Sequence, residues 1–277
     1  MQSVSAGDAE IPALGVGTFQ LSGAACRNTV RTALELGYRH IDTAEYYDNE
    51  QAVGAAIDAA SVDRDEIFLT TKVWRSNLSA GDVRPAVEAS LDRLGVDYVD
   101  LLLIHWPHPR VPVTETLSAM AELREAGLVT HLGVSNFTRS QLQSAIAAAD
   151  APIVTDQVLC HPFNSQRTLR QFCAESDIAL TAYSPLARGA VVGDETLTRI
   201  GTEYGKSAPQ VALRWLVQQE QVVAIPRSSS GDHLADNLAV FDFELTDTEM
   251  ERIDDLTGSL RVRLANQLPK LMRSFPL

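Results

Sequence analysis

Short apolar, β-branched runs alternate with longer segments of helical period along nearly the whole chain, and the strand-like runs number eight. The candidate strands are residues 14–18, 38–42, 67–72, 99–105, 131–135, 153–157, 178–183 and 222–226. Between them lie amphipathic segments at 27–36, 51–59, 83–94, 116–125, 141–149, 168–175 and 208–219, with a further one at 246–256. Ser79 precedes the third segment, Ser207 and Pro209 open the seventh, and Gly37, Gly95 and Gly127 follow the first, third and fourth, as helix start and stop signals do. Strands such as Val99-Asp-Leu-Leu-Leu-Ile-His105 are almost continuously apolar, as expected when both faces of a parallel sheet are covered. No Gly-x-Gly-x-x-Gly follows a strand, which weighs against a doubly wound dinucleotide-binding sheet. The pattern predicts an α/β chain, a (β/α)8 TIM barrel with extra helices near the C-terminus.

With 277 residues, 45% of them hydrophobic, the chain can bury a sizeable core, and no Pro/Gly/Ser-rich linker divides it. One domain over residues 1–277 is expected, with an atypical tail at 261–277 that carries Arg261, Arg263, Lys270 and Arg273 and no acidic residue. A net charge of −13 disfavours nucleic acid and anionic membrane surfaces as partners. Cys26, Cys160 and Cys173 form no paired motif and read as buried thiols of a reducing compartment. The first ten residues lack the basic and apolar stretches of a secretory leader, and no apolar run is long enough to span a membrane. A soluble, cytoplasmic protein is expected.

A barrel of this kind keeps its chemistry at the C-terminal strand ends. There the sequence places Asp42, Lys72, His105, Ser135 with Asn136, Gln157, Tyr183 with Ser184, and Arg227 with Ser228. Taken singly, each has a plain explanation: Asp42 could cap a turn, and His105 could be a hydrogen-bonded core histidine. Lys72 is harder to dismiss. It is one of only three lysines among 23 basic residues, and it ends an apolar strand, where an unpaired ammonium is costly to bury. Asp42 on the neighbouring strand is its natural partner. Tyr47 lies five residues beyond Asp42, on a loop able to return over the same mouth. A phenol titrates near pH ~10, and a nearby ammonium is expected to lower that value, making Tyr47 a general acid aimed at a carbonyl oxygen becoming an alkoxide. His105 could orient that oxygen.

Tyr38-Arg-His-Ile-Asp42-Thr-Ala-x-x-Tyr47-x-Asn-Glu50, Asp97-Tyr-Val-Asp100-Leu-x-Leu-Ile-His105-Trp-Pro107, Gly133-Val-Ser-Asn-Phe137 and Ile225-Pro-Arg-Ser228 with Asn237 resemble, in order, the motifs of the aldo-keto reductases. The resemblance runs from about residue 12 to 256, and the compact loops look most like the bacterial 2,5-diketo-D-gluconate reductases. It implies that Asp42, Tyr47, Lys72 and His105 are catalytic, with Tyr47 rather than Tyr46 as the acid. It also implies a nicotinamide cofactor and no metal. By position, Ser135, Asn136 and Gln157 would hold the carboxamide, and Tyr183 would stack on the nicotinamide. Gly17, Thr18, Ser184, Leu186 and Arg188 would line its path, and Arg227, Ser228, Ser229, His233 and Asn237 would hold the adenosine end. Many relatives carry Lys and Arg where this chain has Arg227 and His233. One fixed charge is therefore missing from the 2′-phosphate clamp, so NADPH is expected with only weak discrimination against NADH. Phe19, Trp74 and Trp106 would form an open aromatic pocket for small aldehydes, ketones or dicarbonyls in a monomeric enzyme. Two other readings stand beside this one. A cofactor-binding regulatory protein with little turnover is disfavoured by the complete set of four residues, and a metal-dependent hydrolase by six scattered histidines.

Overall fold

In a computed structural model the protein is described over residues 2–257, so the basic segment at 261–277 lies outside the described residues. The chain opens with a hairpin, β1 (Ser3–Ala6) and β2 (Ala9–Pro12). A parallel eight-stranded sheet follows: β3 (Val16–Gly17), β4 (His40–Asp42), β5 (Phe68–Val73), β6 (Val99–Ile104), β7 (Val129–Ser135), β8 (Ile153–Leu159), β9 (Ala179–Tyr183) and β10 (Val222–Ile225). Each strand pairs with the next in sequence, the order helical crossovers produce. The sheet then closes on itself. Leu14 bridges Ala224 in parallel, the Gly15 amide donates to the Ala224 carbonyl (2.9 Å), and the Gly17 amide donates to the Pro226 carbonyl (3.1 Å). A side chain at position 17 would bring a Cβ within 3.0 Å of the Ile225 carbonyl oxygen, so glycine lets the two edges meet.

The outer layer comprises α1 (Gly23–Glu35), α2 (Glu50–Asp58), α3 (Ala80–Leu94), α4 (Val113–Glu125), α5 (Arg139–Ala148), α6 (Arg167–Glu175), α7 (Glu195–Tyr204) and α8 (Ala208–Val217). After β10 come α9 (Gly231–Leu238) and α10 (Asp247–Asp254), the extra C-terminal helices of the expected fold class. Helix starts follow their sequence signals: Thr138 with Gln141 and Ser207 with Gln210 form reciprocal capping boxes on α5 and α8. Leu, Ile and Val side chains from these helices and from the outward faces of the strands make one continuous core.

All eight strands fall where the alternation places them. Three elements do not come from that reading. The hairpin plugs the N-terminal end of the barrel, where Ala6, Ala9 and Ile11 pack on Phe68, Leu101, Leu103 and Val223. Its signal was local, an alternation of Val4, Ala6, Ala9 and Ile11 about a two-residue Gly7-Asp8 turn with Gly7 at φ +57°. Helix α7 is capped by Asp194, whose carboxylate accepts from the amides of Thr196 (3.0 Å) and Leu197 (3.1 Å). It buries Leu197 and Ile200 among threonines and a glycine, a weak helical signature. Helix α9 starts at Gly231 behind the Ser230 cap and is polar in composition.

Candidate active site

The ends of β4, β5 and β6, a residue of β8 and one returning loop build the centre of the barrel mouth. Asp42 ends β4 and Lys72 lies near the end of β5; both are buried. The Lys72 ammonium donates to Asp42 Oδ1 (2.6 Å) and to the Thr43 carbonyl (2.7 Å), and its third reach is the Tyr47 hydroxyl at 3.4 Å. Gln157 of β8 donates through Nε2 to Asp42 Oδ2 (2.7 Å), so both carboxylate oxygens are engaged. Tyr47 rides on a short 3-10 turn, Glu45–Tyr47, which the Asn49 side chain anchors to the barrel by donating to the Thr18 and Leu21 carbonyls (2.9 Å each). His105, just past β6, faces Tyr47 edge-on with ring centroids 5.6 Å apart.

Burial and charge then set the titration of these groups. Burial lowers the Lys72 ammonium, and the Asp42 carboxylate opposes that shift. Burial holds His105 well below the ordinary histidine range, with the Lys72 charge adding to the effect, so its imidazole is neutral. The expected lowering of Tyr47 is reversed: burial and the nearby Asp42 charge push the phenol well above its ordinary value. The Lys72 ammonium does little to offset that burial. Asp42 and Thr43 take the two short contacts of the ammonium, and the phenol receives only the long one.

Beside this centre lies a cavity of about 440 Å³. Of the residues expected at a site, Gly17, Phe19, Asp42, Tyr47, His105, Trp106, Ser135, Asn136, Gln157, Tyr183, Ser184, Leu186, Arg188 and Arg227 line it. The polar members also bind one another. Ser135 donates to the Gln157 carbonyl (2.7 Å), Asn136 donates to the His105 carbonyl (2.9 Å), and the Tyr183 hydroxyl donates to Asn136 Oδ1 (2.9 Å). Asn136 and Ser184 adopt left-handed backbone, φ +64° and +49°, which side chains other than glycine rarely take.

Other expected residues lie off the cavity wall. Lys72 is beneath it. Thr18 is fully buried and donates to the Asp42 carbonyl (3.0 Å). Trp74 instead stacks on Tyr46, centroids 3.9 Å apart, and meets His105 edge-on at 5.0 Å. Its backbone amide donates to Glu45, which also accepts from Asn77 (3.2 Å). Asn237 is buried on the inner side of α9 beside the Tyr38 hydroxyl. Ser228 folds back on the Ser230 backbone, and Ser229 and His233 stay outside the cavity lining.

Sequence reasoning overlooked Gln20, Val191 and Val192, which also line the cavity, and the buried Glu50. Glu50 accepts from Thr71 (2.6 Å) and pairs with Arg93 (2.6 Å) behind Lys72. Its place in the Tyr47-x-Asn-Glu50 run was the available signal; nothing local marks the two valines. Among the described residues, no three His, Cys, Asp or Glu side chains are grouped to hold a metal ion. No helix among them is long and apolar enough to cross a membrane.

A closed parallel barrel with these motifs at its C-terminal mouth defines an oxidoreductase that acts on carbonyls: residues 13–257 match the Aldo/keto reductase family, and the chain belongs to it. An aldo-keto reductase of Mycobacterium avium (strain 104) is 43% identical over 256 residues, covering 92% of this chain and 89% of the relative. The 9,11-endoperoxide prostaglandin H2 reductase of Trypanosoma cruzi (strain CL Brener) is 41% identical over 256 residues, 91% of this chain and 90% of that protein. A crystal structure of a protein provisionally named 2,5-diketo-D-gluconic acid reductase B superposes with a TM-score of 0.92 at 44% identity, covering 94% of this chain and 93% of that one. That likeness agrees with the branch of the family that the loops resemble.

Proposed function

We propose that this protein reduces small aldehydes, ketones or dicarbonyls to alcohols with NADPH, and that Tyr47 is the proton donor. The observation that carries the reading is the row of contacts from Gln157 through Asp42 and Lys72 to the Tyr47 hydroxyl, which ends at the cavity opposite His105. Self-consistent polar contacts among Ser135, Asn136, Gln157 and Tyr183 form a fixed polar wall suited to a carboxamide and a flat ring. One N–H of the Gln157 amide is taken by Asp42, which leaves its second N–H and Oε1 for a carboxamide. Arg188 and Arg227 border the same cavity, where they suit the phosphates of a dinucleotide. When bound, the nicotinamide supplies hydride to the carbonyl carbon.

The residues of this chain handle the proton. With its pKa raised, Tyr47 is fully protonated at neutral pH and can always donate. Transfer remains downhill, because an alkoxide is far more basic than a phenolate; even bulk water has a pKa of about 15.7. Lys72, held by Asp42 and the Thr43 carbonyl, stands behind the hydroxyl to stabilise the phenolate as it forms. A neutral His105 donates a hydrogen bond to the carbonyl oxygen without adding charge. Phe19, 5.0 Å from the Tyr47 ring, and Trp106 keep water from the reacting atoms.

The test follows NADPH absorbance with a panel of small aldehydes and α-dicarbonyls for the wild type and Tyr47→Phe. Turnover is expected to fall about a hundredfold or more in the variant, with NADPH binding retained. Near-wild-type turnover by Tyr47→Phe, or no turnover by the wild type across the panel, would overturn the reading.

A further inference from the structure

Asp156 lies on β8 next to Gln157, fully buried, and the chemistry above makes no use of it. Neighbouring strand residues point to opposite sides. Gln157 reaches Asp42 at the barrel centre, and Asp156 instead stands behind the turn that follows β7. Its Oδ1 accepts one long hydrogen bond, 3.4 Å, from the Phe137 amide, and its Oδ2 has no hydrogen-bond partner. The titratable groups that sense it are Cys173 on α6 and Tyr183 on β9, and neither is a cation. A carboxylate in such surroundings would be a buried charge with no counter-ion and a single weak donor, an arrangement proteins avoid by keeping the group protonated. Burial accordingly pushes this carboxyl well above its ordinary range.

The turn it supports is the one on which the cavity wall depends. Asn136 takes a left-handed conformation there, φ +64°, and its side chain links the His105 carbonyl, Ser135 and the Tyr183 hydroxyl. Its own amide is fixed by the Gln157 carbonyl (3.0 Å). The next amide, that of Phe137, is bound by Asp156. Losing that acceptor would leave a buried N–H unpaired directly behind a strained residue that three other site groups rely on.

We infer that Asp156 is a positioning residue, a neutral carboxylic acid that braces the Asn136–Phe137 turn and so sets the wall against which the nicotinamide is held. This rests on the cofactor site proposed above. Two measurements test it, and neither is an activity assay. The first is NADPH affinity, read by quenching of tryptophan fluorescence. Asp156→Asn keeps an acceptor for Phe137 and is expected to bind within about twofold of wild type, whereas Asp156→Leu should bind about tenfold more weakly. The second is the pH dependence of unfolding. An Asp that stays protonated when folded but ionises when unfolded, near pH 3.9, destabilises the protein as pH rises from there to its folded pKa. Between pH 4.5 and 7.5 the unfolding constant of the wild type, relative to that of Asp156→Asn, should therefore rise about tenfold per pH unit over the part of that range lying below the folded pKa.

Parallel stability profiles for wild type and Asp156→Asn would show an ionised Asp156 and overturn the inference. So would wild-type affinity in Asp156→Leu or a tenfold loss in Asp156→Asn, and the Asn variant decides should the Leu variant fail to fold. If the wild type binds no NADPH, the cofactor site itself is wrong, and the inference falls with it. If it binds NADPH and Tyr47→Phe loses turnover, only the brace is at stake.

Discussion

His40 opens β4 fully enclosed, its ring edge-on to Phe68 (5.2 Å between centroids), with Nε2 3.3 Å from the Thr70 hydroxyl. Burial lowers its pKa from 6.5 to about 4, the Asp42 charge opposing only in part. As pH falls from 6.5 toward 4, the unfolded chain takes up a proton that the folded chain refuses, so stability is lost across that window. The loss amounts to about 1.4 kcal/mol per unit and about 3 kcal/mol in all. Denaturant titrations at several pH values should show His40→Gln with a shallower acid limb than wild type; an unchanged limb would mean that His40 ionises freely in the fold. His105 acts in the same direction. This shows what a sequence holds at the scale of one residue. Lys72 could be picked out because an unpaired ammonium is costly at the end of an apolar strand, and Asp42, Tyr47 and His105 followed as the groups able to pair with it or share its chemistry. The sign of the Tyr47 shift could not be picked out, since it depends first on how deeply the fold buries the phenol and then on how near the Asp42 charge comes to it.

At the scale of elements, α2 and α3 cross where Gly54 has no side chain. A Cβ there would lie 2.0 Å from the Leu94 carbonyl oxygen, which is fixed backbone. Gly54→Ala must push the helices apart and should destabilise the protein by about 3 kcal/mol or more, measured by chemical denaturation. A loss below about 1 kcal/mol would mean that the crossing yields easily. Because Glu50 at the head of α2 bonds Thr71 beside Lys72, some loss of activity should accompany the loss of stability. The eight strands were legible because burial on both faces leaves them apolar. Hairpin β1–β2 carried its turn signal but lies outside the repeating strand and helix pattern. Helices α7 and α9 were obscured by composition: few apolar residues are needed to dock a short helix on a barrel already closed.

For the whole molecule, a net charge of −13 opposes the polyanionic cofactor proposed above, and Arg188 and Arg227, which line the cavity, are the residues proposed to concentrate attraction locally. The proposed clamp for a 2′-phosphate is then Arg227 with hydroxyls and amides at the start of α9, where position 233 carries histidine in place of a second arginine. The ratio of kcat/KM for NADPH over NADH should exceed one yet stay below about a thousandfold, and should shrink as salt rises to about 1 M. A salt-independent or larger ratio would require a buried clamp. One feature of the fold bears on how such an occupant and the protein depend on each other. The cavity straddles the seam where β3 meets β10, taking Gly17 from one edge and Ile225 to Arg227 from the other. An occupant there clasps together the first and last strands of the barrel. Filling the cavity and keeping the ring shut thus become a single equilibrium, in which anything that parts the seam also evicts the guest.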